Sequence, residues 1–105
     1  MTPGTDPMPF RVTVMRGREQ AVLRLEGELD YASVQELSDA VDHVLACNPS
    51  VIVVDAADLE FADVAGLRPL IDLAARLGPG TVQIRRAPRQ IRRVLQLLDL
   101  DDLLA

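Results

Sequence analysis

Residues 51–67 read Val-Ile-Val-Val-Asp-Ala-Ala-Asp-Leu-Glu-Phe-Ala-Asp-Val-Ala-Gly-Leu. Val51 to Val54 is an unbroken β-branched run. A strand with one wet face would alternate apolar and polar residues. This one has no polar side, which predicts a strand buried on both faces, central in its sheet, with parallel neighbours. Asp55 to Phe61 reads as a loop. Asp63-Val64-Ala65-Gly66-Leu67 then opens a helix whose apolar stripe is Leu67, Leu70, Ile71, Ala74 and Leu77, with Ala75 beside it. Gly78-Pro79-Gly80 ends that helix. A buried strand feeding an amphipathic helix is half of a β-α-β unit, and the rest of the chain supplies the other half.

Upstream, Phe10 to Arg16 alternates, with Phe10, Val12 and Val14 on one face. Gly17-Arg18-Glu19-Gln20 is a polar turn, and Val22 to Glu26 alternates again, so the two segments predict a hairpin. Gly27-Glu28-Leu29-Asp30 ends the second strand. Ser33 and Glu36 have the spacing of a capping box, in which each side chain satisfies a free N–H of the first helical turn. Val34, Leu37, Val41, Val44 and Leu45 form the stripe of that helix. Asp39, Asp42 and His43 lie off it, and Asn48-Pro49 stops it.

Downstream, Thr81 to Arg85 is a short strand with Val82 and Ile84 as its apolar positions. Pro88 is placed to start a third helix with the stripe Ile91, Val94, Leu95 and Leu98. Leu100, Leu103 and Leu104 make a last amphipathic turn. The order is therefore β-β-α-β-α-β-α, and right-handed crossovers give a sheet with parallel pairs.

Across 105 residues, 49% are apolar and 26% charged, the makeup of one ordinary globular domain. Its charge is less ordinary. All eleven basic residues are Arg, and sixteen acids outweigh them to give a net charge of −5. That balance argues against nucleic acid or an anionic membrane as bulk partner. One Cys excludes an intrachain disulfide and a Cys-built metal cage, and one His excludes most metal centres. With no Trp, one Tyr and two Phe there is no platform for stacked bases. No Ser-His-Asp set and no phosphate-cradling Gly-rich loop is present, so the chain does not read as an enzyme, and no cofactor or metal is expected. Residues 1–9 hold three Pro and one Gly and read as a disordered tail, leaving 10–105 as the domain. No targeting signal and no membrane-length apolar run is visible, so a cytoplasmic location is expected.

Leu25-Glu26-Gly27-Glu28-Leu29-Asp30 before a helix resembles the L-x-G-E-L-D motif of STAS domains. Val51 to Asp55, leading through Leu59-Glu60-Phe61-Ala62 to Asp63-Val64-Ala65-Gly66-Leu67, is similar to that family's buried strand and its D-S-[ST]-G-L signature. Ala87-Pro88, Arg92-Arg93, Val94-Leu95 and Leu100 resemble its closing helix. The resemblance spans about residues 10 to 104. It implies a single STAS-like α/β domain, with a mixed sheet of about four strands and three main helices. It further implies a bacterial anti-sigma factor antagonist, or anti-anti-sigma factor, acting in transcription regulation by protein–protein interaction. Its partner would be an anti-sigma factor of the GHKL kinase type, whose sigma factor then goes free. A monomer or weak dimer is expected. The implied contact residues are Asp30, Tyr31, Ser33, Asp63, Val64, Ala65, Gly66, Leu67 and Arg68. The alternative is a STAS subunit of a membrane assembly, docking on the ATPase of a lipid-transporting ABC system.

In the family a Ser or Thr at the start of the second helix takes a phosphate. A helix N-terminus suits one, with unpaired N–H groups and positive dipole potential. Ala65 stands at that position and Val64 before it, and neither can be phosphorylated. Either the segment is only packing, or the surface still binds its partner in a permanently unphosphorylated state. Ser33 and Ser38 are the nearby hydroxyls for another modification.

Two further departures matter. Pro69 has no N–H, so a helix beginning at Asp63 would lose a bond there; this predicts a late start, near Ala65 or Gly66, with Asp63 in the preceding loop. Asp99 stands where many relatives have Gly, which puts the left-handed cap of the last helix in question. Arg85, Arg86, Arg89, Arg92 and Arg93 hold five of the eleven Arg, and Asp99, Asp101 and Asp102 follow. Both groups oppose the macrodipole of the third helix, by a few tenths of a kcal/mol each. Those Arg read as a solvated or protein-docking face. Asp30, Asp55, Asp58 and Asp63 gather at loop ends, where Asp commonly caps and turns the chain. His43 is expected exposed and Cys47 semi-buried.

Overall fold

The computed structural model describes residues 9–105. The expected tail therefore lies, except for Pro9, outside the described residues. The elements are β1 (Arg11–Arg16), β2 (Gln20–Leu29), a 3-10 turn at Tyr31–Ser33, α1 (Val34–Leu45), β3 (Val51–Ala62), α2 (Val64–Leu77), β4 (Val82–Arg85), α3 (Arg89–Leu97) and a second 3-10 turn at Asp101–Leu103. The sheet order is β1-β2-β3-β4. β1 and β2 form the antiparallel hairpin, while β2–β3 and β3–β4 are parallel. The Val51–Val54 run thus lies inside the sheet with parallel neighbours on both sides, as its composition requires.

One core joins all of these elements. Leu23, Leu25, Leu29, Ile52, Val54, Leu59 and Ile84 of the sheet pack with Leu37, Val41 and Val44 of α1, Leu67, Leu70 and Leu73 of α2, and Ile91 and Leu95 of α3. All three helices therefore cover one face of the sheet. Val53 is buried but stands outside that core, on the opposite face, where it pairs with Val22 and Gln83. The stripe of α2 needs correction: Leu73 is buried, Ala75 is exposed and Leu77 is 37% exposed. Leu98, just past the end of α3, is exposed to the same degree.

The largest difference from expectation is at residues 55–61, which are strand and not loop. β3 continues to Ala62 against a β2 that continues to Leu29. The pairing Arg24↔Asp55 gives way to Glu26↔Asp58, and Gly27↔Leu59 gives way to Glu28↔Phe61. At each step β3 carries one residue more than β2. Each bulge resets which side chains face the core, so the buried positions Ala56, Leu59 and Ala62 fall three apart. Alternation, the sequence signature of a strand, is erased. Gly27, beside the second bulge, has φ +84, a conformation that strains any residue with a Cβ.

The helix starts also differ. Asp30, not Ser33, is the first cap, its Oδ1 accepting the N–H of Ala32 at 3.0 Å. The chain turns helical at Tyr31, so Ser33 already has helical backbone angles and makes no cap bond. Its hydroxyl lies instead 3.1 Å from the Glu28 carbonyl and 3.2 Å from Asp30 Oδ1. α2 runs unbroken from Val64, with Pro69 inside it and Asp63 as its cap. The late start expected from Pro69 is therefore wrong: a good cap and a buried stripe outweigh one lost hydrogen bond. Asp99 does adopt the left-handed conformation, φ +59, and the Leu100 N–H reaches back to the Leu95 carbonyl at 2.8 Å. Cys47 is exposed, held by a bond from Arg16 Nη1 to its Sγ at 3.0 Å.

Candidate functional site

β2 and β3 end side by side, with Leu29 opposite Ala62. Each strand then leads through an aspartate into helical backbone. After β2, Asp30 caps the turn at Tyr31–Ser33. After β3, Asp63 caps α2, its Oδ1 accepting the Gly66 N–H at 2.7 Å. The Asp63 N–H bonds the Leu29 carbonyl at 3.2 Å and ties the two starts together. Gly66 brings them closer still. A Cβ there would stand 2.3 Å from the Leu29 carbonyl oxygen, so only glycine lets α2 lie this near β2.

This geometry sorts the nine expected contact residues. Tyr31, 82% exposed, and Val64, 40% exposed, project into solvent, as does Arg68. Asp30, Ser33, Asp63 and Ala65 are half-buried, and the first three are engaged in caps and turns. Gly66 and Leu67 are buried. They hold α2 against the sheet and offer a docked molecule no surface, which corrects their place among the contact residues.

Two residues join the site that sequence reasoning missed. Phe61, 39% exposed, is the penultimate residue of β3; an aromatic two residues before Asp63 was the available signal. Gln90 of α3 makes a two-way amide bond with the backbone of Ala62, donating from Nε2 to the carbonyl at 2.9 Å and accepting the N–H at Oε1 at 3.1 Å. β4 ends before this point, so Gln90 stands in for a missing strand. No spacing or composition rule could have found it.

The four loop aspartates do not converge. Asp30 and Asp63 cap. Asp55 and Asp58 lie along β3 and pair with arginines: Arg86 with Asp55, and Arg24 Nη2 with Asp58 at 2.8 Å. Arg86 holds the Asp55 carboxyl below the usual carboxylate range, chiefly through its side-chain hydrogen bonds. Ser38 is half-buried in the shallow groove between α1 and α2, beside Arg68 and Arg76. Among the described residues, no helix is long and apolar enough to cross a membrane.

A four-stranded mixed sheet, helices on one face, and two aspartate-capped helical starts at the ends of its parallel strands make the α/β arrangement expected of a STAS domain. The chain belongs to that family: residues 12–105 match the family model described as "Mlab, STAS domain". It is 32% identical over 97 residues to the anti-sigma-F factor antagonist RsfB of Mycobacterium tuberculosis, covering 90% of this chain and 79% of RsfB. The crystal structure of an anti-sigma factor antagonist from Mycobacterium paratuberculosis superposes with a TM-score of 0.80 at 26% identity, covering 91% of this chain and 83% of that one. SpoIIAA of Bacillus, an anti-sigma factor antagonist in its unphosphorylated form, superposes with a TM-score of 0.73, covering 92% and 86%. At 22% identity that likeness speaks to the fold alone.

Proposed function

We propose that this protein is an anti-sigma factor antagonist. It acts without catalysis, by occupying the surface of a GHKL-type anti-sigma factor in the cytoplasm so that a sigma factor goes free. The observation that carries this reading is the 32% identity to RsfB along nine-tenths of the chain. The site is built for docking. Tyr31 and Val64 stand exposed on a frame held by two caps and the Gly66 contact, so little ordering is left to do on binding. Val64 and Ala65 carry no hydroxyl, so at the position of the family's phosphorylated residue this chain stays in its binding-competent form.

The test uses the purified anti-sigma factor of the protein's own organism. Binding measured by calorimetry is expected with and without ATP, and incubation with ATP is expected to leave residues 63–67 free of phosphate. Ala65→Asp places a charge beside Val64 and is expected to weaken binding at least tenfold, with unchanged circular dichroism. Unchanged affinity would remove α2 from the interface.

A second reading is a STAS subunit docking on the ATPase of a lipid-transporting ABC system. The description of the matching family model, "Mlab, STAS domain", favours it. A pull-down that recovers an ABC ATPase and no GHKL protein would replace the first reading with this one.

A further inference from the structure

The two hydrogen bonds between Gln90 and Ala62 fix the first turn of α3 at the end of β3, one residue before the Asp63 cap. The start of α3 thereby lies next to the proposed docking surface. Arg93 and Leu97 follow Gln90 at three and seven residues and so share its side of the helix. Arg89 and Arg92 complete the outward face. All three arginines are exposed, and among the described residues none has an acid within ion-pair distance. Leu97 is 81% exposed.

Folding does not explain this face. Cations in the first turn oppose the helix dipole, where an acid would be favoured. The chain as a whole carries a net charge of −5, so three arginines on one helix face run against its overall sign. A face that is electrostatically disfavoured at home, and that begins at the end of β3 where Gln90 meets Ala62, suits the edge of an interface, where charges steer the encounter.

We propose that the docking surface extends from the start of α2 onto α3, and that the partner presents an acidic protein surface there to Arg89, Arg92 and Arg93. This rests on the docking reading above. Charge complementarity chooses the occupant. A nucleic acid would meet a protein of net charge −5, with Asp99, Asp101 and Asp102 following this face in the chain.

The test measures association kinetics with the same purified anti-sigma factor at low and high salt. The double variant Arg92→Glu/Arg93→Glu is expected to associate about tenfold more slowly at low salt, with the gap closing near 1 M salt, where screening shortens to about 3 Å. Arg11→Glu/Arg18→Glu makes the same charge change on β1 and the hairpin turn, and is expected to matter much less. Equal effects from the two pairs would overturn the proposal, because only net charge would then be at work. If Ala65→Asp blocks binding while the α3 variant associates at the wild-type rate at low salt, the inference falls and the docking reading stands. If Ala65→Asp has no effect, the docking reading falls and takes the inference with it. Duplex DNA bound with the same dependence on Arg92 and Arg93 would overturn the assignment to a protein partner.

Discussion

Gly66 on α2 lies directly against the carbonyl of Leu29 at the end of β2; a side-chain Cβ would stand 2.3 Å from that oxygen and 2.6 Å from its carbon. Both obstacles are backbone, which cannot swing aside. In Gly66→Ala the helix would gain up to ~1 kcal/mol of propensity. The overpacking strain of about 1–3 kcal/mol or more outweighs that gain. The expected net loss is about 2 kcal/mol, or roughly 10 °C in Tm for a domain of this size. Thermal unfolding measures it, and a Tm equal to wild type would mean that α2 does not press on β2.

Pro69 makes the opposite prediction. It lies within α2 and has no N–H to give the Ala65 carbonyl. An interior proline costs a helix about 3 kcal/mol. Its stiffening of the unfolded chain returns about 0.4–1 kcal/mol of that. Pro69→Ala is therefore expected to stabilise the domain by about 2 kcal/mol in urea denaturation. A loss of stability instead would show that the proline's own packing at this half-buried position matters more than the bond.

The Arg86–Asp55 pair links the turn before α3 to β3. Arg86 Nε lies 3.2 Å from Asp55 Oδ1, and Nη2 bonds Oδ2, from a left-handed backbone at φ +56. The folded protein depresses the Asp55 carboxyl below its ordinary value of 3.8. The pair's contribution is therefore complete above that ordinary value and is lost as pH falls through the depressed one. Asp55→Asn is expected to be less stable than wild type at pH 7, with the gap narrowing below about pH 4. Urea midpoints across that range are the measurement. A gap that stays constant down to pH 2 would mean that ionisation of Asp55 contributes nothing.

Much of the fold was legible because most elements obey simple periods. The hairpin alternates at two, and the helices repeat at three and four with Leu37, Val41, Leu67, Leu70, Ile91 and Leu95 all reaching the core. Residues 55–61 failed because two bulges add one residue each to β3 and shift the faces. The Ser33–Glu36 spacing satisfied a capping box that the chain does not use, because Asp30 had already turned it. At the candidate site the motif could name Asp63, Val64, Gly66 and Leu67, but not that Val64 is exposed while Gly66 and Leu67 are buried.

The sequence by itself determined the order of elements, the apolar faces of the hairpin and of α1, and the absence of a hydroxyl at Val64 and Ala65, since these depend on residue identity and near-neighbour spacing. Tertiary structure decided what depends on distant partners. It continued β3 past Val54, because β2 was there to pair with it. It let α2 begin at Val64 despite Pro69, because the Asp63 cap, the Gly66 contact and a buried stripe together outweigh one missing bond. It also set the first turn of α3 at the end of β3, through two hydrogen bonds between residues 28 positions apart that no local rule connects.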